Sequence, residues 1–113
     1  MTEKKENFTE GKVETFFDLL KPVVLEKAED TTLKSFLQEH VIVKEKIQIA
    51  LKAIKEEGVS IALLQRRLPC GYFIAGTIID GLEALDIVTP FQDGRKRSFC
   101  LEKLESLQAF LNA

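Results

Sequence analysis

One histidine, two cysteines and no tryptophan stand among the 113 residues of this chain. A structural zinc site takes four Cys or His ligands at close spacing; His40, Cys70 and Cys100 are too few and too scattered to supply it. Two cysteines do not make a disulfide framework and fit a reducing compartment. There is no GxxxxGK[ST] phosphate loop, no GxGxxG after a predicted strand and no GxSxG nucleophile elbow. No serine, cysteine or carboxylate is placed to work with His40 as a general base, so it reads as a histidine at a helix C-terminus, favoured there by the helix dipole. A non-enzyme without a cofactor is expected. No apolar run approaches the ~18 residues that a membrane helix needs. The charged opening MTEKKENFTE lacks the apolar stretch of a signal peptide. A cytoplasmic protein with no membrane partner is expected.

What is present is ordinary globular composition, 45% hydrophobic and 30% charged, enough for one small domain with helical extensions. The formal charge of −2 does not advertise nucleic-acid binding, which would have to come from a local patch.

Apolar residues at steps of three and four predict helices. From Lys12 the set is Val13, Phe16, Phe17, Leu20, Val23 and Val24. Pro22 sits inside that set, so the helix either breaks near Leu20 and restarts or is kinked. Asp30 or Thr31 can cap a short helix carrying Leu33, Phe36 and Leu37. Val41-Ile42-Val43 is β-branched and suits a short strand or the start of a helix. Ile47, Ala50, Leu51 and Ile54 form a helical face that ends at Gly58, a residue free to take the left-handed conformation. Ser60 is a natural N-cap for a short helix, Ile61 to Leu68, with Leu63, Leu64 and Leu68 on its apolar face. Pro69-Cys70-Gly71 makes a tight turn. A longer helix follows from Tyr72 to about Leu85. Ile87 to Thr89 reads as a strand, Pro90 to Gly94 as a turn with an Asp-Gly signal, and Arg95 to Leu101 as the return strand. Glu102 to about Leu111 is the final helix. Cys70, before a helix N-terminus, reads either as a thiol activated by the dipole or as a small packing residue; Cys100 reads as packing.

This order is that of a winged helix-turn-helix: mainly α with a small β-hairpin and extra N- and C-terminal helices. The expected organisation is an N-terminal helical extension over 1–42, a winged-helix domain over 43–101 and a C-terminal helix over 102–113. Tyr72 to Leu85 is then the recognition helix, and Gln92 to Lys96 is the tip of the wing.

The stretch from Ser60 to Val88, SIALLQRRLPCGYFIAGTIIDGLEALDIV, resembles the γ domain at the C-terminus of the FtsK and SpoIIIE DNA translocases. The matching positions are Ser60, Leu63, Leu64, Gln65, Arg66, Arg67, Gly71, Tyr72, Ala75, Ile79, Leu82, Glu83, Ile87 and Val88. The resemblance covers about Val43 to Leu101. It implies a winged helix that reads short DNA sequences and also contacts a recombinase. In the translocases an Asn-Arg pair typically follows the Gly-Tyr turn, with a further basic residue one turn later. Here those positions are Phe73, Ile74 and Thr77, which cannot make the paired hydrogen bonds to base edges and at most touch thymine methyls. These 113 residues hold no phosphate loop and so no motor.

Residues 44–101 hold nine Lys or Arg against seven Asp or Glu, so this segment is locally basic. Arg66, Arg67, Arg95, Lys96 and Arg97 are the expected contacts to the DNA backbone. Tyr72, Phe73, Ile74 and Thr77 are expected to face the groove. The leading expectation is a small winged-helix binder of double-stranded DNA, acting in transcription regulation, with weak or altered base readout. Leu104, Leu107 and Leu111 offer a seam for a homodimer. The competing expectation is a protein-interaction module that keeps the fold and contacts a partner through Phe73 and Ile74.

Overall fold

The computed structural model describes residues 8–26, 38, 40–90 and 97–112. The expected helix over Leu33, Phe36 and Leu37 and the tip of the wing, with Arg95 and Lys96, lie outside the described residues.

Five helices carry the described chain: α1 Glu10–Glu26, α2 Val41–Glu57, α3 Ile61–Arg67, α4 Tyr72–Ala84 and α5 Leu101–Asn112. Their boundaries follow local chemistry. Thr9 opens α1, its Oγ1 accepting the Lys12 amide at 3.2 Å. Pro22 neither breaks nor ends α1, which runs on to Glu26. Proline removes the amide that would bond the carbonyl of Asp18, an exposed residue, while Val23 and Val24 remain packed against the core. Val41-Ile42-Val43 begins α2 rather than a strand, and His40 precedes that helix at its N-cap position. Gly58, at φ +94°, ends α2 with its amide bonded to the Ile54 carbonyl at 2.8 Å. Ser60 Oγ accepts the Leu63 amide at 3.1 Å and so caps α3 as expected.

One core joins all five helices. α1 contributes Val13, Phe16, Phe17 and Leu20; α2 contributes Val43, Ile47, Ala50, Leu51, Ala53 and Ile54. Leu63 and Leu64 come from α3, and Ala75, Ile78, Ile79 and Leu82 from α4. Helices α1 and α3 both pack on α4, while α2 packs on α3 and α5. The α2–α5 seam is tied at its surface by Lys55–Glu105 at 2.7 Å and by Gln48 Nε2 donating to Asn112 Oδ1 at 2.7 Å.

Three expectations need correction. Leu104, Leu107 and Leu111 are buried in the chain's own core and are not available as a dimer seam. Leu101 begins α5 rather than ending a strand. The expected hairpin reduces, among the described residues, to one antiparallel bridge between Val88 and Phe99. Thr89 N donates to Ser98 O at 2.9 Å and Cys100 N to Ile87 O at 2.8 Å, so the two arms do run back on each other. On the helix side the pairing ends there: Ile87 donates to the Leu82 carbonyl, closing the end of α4, and Cys100 accepts the first helical bond of α5 from Leu104.

Candidate nucleic-acid interface

Helix α3, the turn Leu68 to Gly71 and helix α4 form the helix-turn-helix. Leu64 and Leu68 are buried beneath the turn, and the thiol of Cys70 reaches back toward the Leu64 carbonyl at 3.9 Å. Burial pushes the Cys70 thiol above its ordinary range, against a smaller lowering by Lys46. That is the signature of a packing cysteine rather than an activated one.

The basic candidates fall into distinct settings. Arg66, at the end of α3, is exposed and takes part in no ion pair among the described residues. Its neighbour Arg67 turns back to the end of α2, where it pairs with Glu57 and lies 3.8 Å from Glu56. Arg97, at the foot of the wing, pairs with Glu83 of α4 at 3.0 Å and donates to the Thr89 carbonyl at 3.3 Å. These exposed or half-exposed pairs are each worth roughly 0–1 kcal/mol, so phosphate can compete for either arginine.

The groove candidates also separate. Tyr72 and Phe73 open α4 and are 59% and 72% exposed, their rings edge-to-face with centroids 5.7 Å apart. Ile74 is half-buried and packs on the core. Thr77 Oγ1 donates to the Phe73 carbonyl at 2.8 Å and lies 3.3 Å from Glu10 Oε2 of α1. At 3.6 residues per turn, Phe73, Thr77, Asp80 and Ala84 run down the side of α4 next to α1, and Tyr72, Gly76 and Glu83 down the side next to the wing. None of these residues is basic.

Sequence reasoning missed Glu10. The signal was a carboxylate row, Glu10, Glu14 and Asp18 at four-residue steps on α1, but periodicity does not say which helix lies beside that row. It also missed Glu83 as the partner of Arg97, a pairing set only when the wing folds back on α4.

A buried helix-turn-helix core, a second helix with one exposed face and an antiparallel return define a winged-helix-like module. The Ftsk gamma domain model matches residues 44–102, slightly more than half of the chain, and the protein belongs to that family. No curated protein and no solved structure matches it. The family's domain is a DNA-binding one and not catalytic, consistent with a non-enzyme. Helix α1 and most of α5 lie outside the matched segment. No helix among the described residues is long and apolar enough to cross a membrane.

Proposed function

We propose that this protein binds double-stranded DNA chiefly through its phosphates, with little base discrimination. Arg66 and the wing residues Arg95 and Lys96 supply the main contacts; Arg67 and Arg97 join when phosphate displaces their carboxylate partners. Tyr72, on the wing side of α4, enters the groove, and Phe73 and Ile74 offer no paired hydrogen bonds to a base edge. The observation that carries this reading is the exposed Arg66 in the last turn of α3, with the exposed Tyr72 opening α4 on the other side of the turn.

The test is a fluorescence-anisotropy titration of labelled mixed-sequence duplex at several salt concentrations. Three phosphate contacts give a log–log salt slope of roughly −3, and five give roughly −4 to −5. Replacing Arg66, Arg95 and Lys96 by Glu abolishes binding at moderate salt. Absence of binding by the native chain at low salt would overturn the proposal.

A further inference from the structure

We infer that the α1 side of helix α4 is a docking surface for a basic, amphipathic segment of a protein partner. Phe73 is the most exposed large apolar side chain described, and it stands at the head of a row, Thr77, Asp80 and Ala84, that no other element covers fully. The rim of this row selects the occupant. Helix α1 is fixed beside it by Phe17 against Gly81 and by Glu10 against Thr77. From Glu10, the carboxylates Glu14 and Asp18 follow at four-residue steps along exposed positions of α1, with Lys21 exposed further on, and Asp80 is exposed on α4. Glu14, Asp18 and Asp80 enter none of the ion pairs among the described residues, so their charge is not cancelled locally. Phosphate is repelled from such a surface, whereas lysine or arginine flanking an apolar anchor matches it in charge and in the contact that Phe73 offers. A large exposed aromatic ringed by polar groups is the common centre of a protein interface.

This surface does not use Arg66 or the wing, so replacing Arg66, Arg95 and Lys96 by Glu, which abolishes duplex binding, leaves peptide binding in place. The experiment titrates the isotopically labelled full chain with a helical lysine–leucine peptide and with its glutamate–leucine twin, following backbone amides by NMR. The lysine peptide shifts Phe73, Thr77, Asp80 and the first turns of α1, and the glutamate twin does not. Phe73→Ala weakens the lysine peptide on the order of ten-fold. Neutralising the rim (Glu10→Gln, Glu14→Gln, Asp18→Asn, Asp80→Asn) weakens it by at least as much. All five positions are exposed, and amide spectra report the fold of each variant. Shifts that map elsewhere would overturn the inference. So would peptide binding indifferent to Phe73→Ala, which is unspecific charge attraction. A third overturning result is a neutralised rim that leaves the peptide unaffected but tightens duplex DNA, since the carboxylates then act only as a screen against phosphate.

Discussion

The ring of Phe17 lies directly on the backbone of Gly81, and a Cβ at that glycine would fall within 2.7 Å of three ring carbons. This contact sets how closely α1 crosses α4, and with it how near the carboxylates of α1 stand to the exposed row of α4.

Gly81→Ala is expected to destabilise the fold by about 1–2 kcal/mol. Overpacking costs roughly 1–3 kcal/mol, and the better helix propensity of alanine returns up to about 1. Urea unfolding of Gly81→Ala, Phe17→Ala and the double variant checks it: the second substitution should cost less in the presence of the first. A higher urea midpoint for Gly81→Ala alone would show that α1 does not cross there.

The arginines are expected to behave differently under charge reversal. Arg66→Glu reduces the salt slope of duplex binding by about one and weakens binding for every sequence alike. Arg97→Glu does the same and also frees the foot of the wing from Glu83, so the amide of Ser98 loses protection from hydrogen exchange. Arg66→Glu leaves that amide unchanged.

Cys70 is expected to alkylate slowly at neutral pH compared with an unstructured thiol, because burial favours its protonated form. The sign for stability follows. The raised thiol contributes stability that is fully present below the ordinary value of 9.0, and this contribution is lost as pH rises through the folded-state value. Cys70→Ser removes that alkaline loss. Equal alkylation rates in native and urea-unfolded chain would contradict the burial.

Leu104→Ala is expected to cost about 2–5 kcal/mol of folding stability, the usual range for a core leucine. Its sedimentation coefficient should match that of the native chain. A smaller species with unchanged thermal stability would instead return this leucine stripe to a dimer seam.

Much of the fold is readable in the sequence because local chemistry marks it. Ser60 and Gly58 sit where a cap and a left-handed residue are needed, and the apolar steps of α2 and α4 point inward as their spacing requires. Of the two readings Pro22 allowed, a break near Leu20 is overturned, since the helix runs on past it with Val23 and Val24 packed against the core. Among the described residues the β-branched pattern also overstates the ladder, since Ile87 and Cys100 each spend a backbone group on a neighbouring helix. The candidate site is less legible. Arg67 and Arg97 look equivalent to Arg66 along the chain, and only the placement of Glu57 and Glu83 sets them apart. The acidic row of α1 becomes part of the site through a helix crossing that no local signal encodes.

The arrangement of α1 and α5 separates two units that usually coincide: the stretch by which a family is recognised and the stretch that folds. A fragment cut to residues 44–102 would leave behind Val13, Phe16, Phe17 and Leu20 on one side and Leu104, Leu107 and Leu111 on the other, all buried in the whole chain. Helix α4 would then show water an apolar flank around Gly81, and α2 would lose α5, one of the helices against which it packs. Such a fragment would tend to associate through those bared flanks. Binding measured on it would report artificial surfaces, so the whole chain is the unit on which partners of this protein are to be sought.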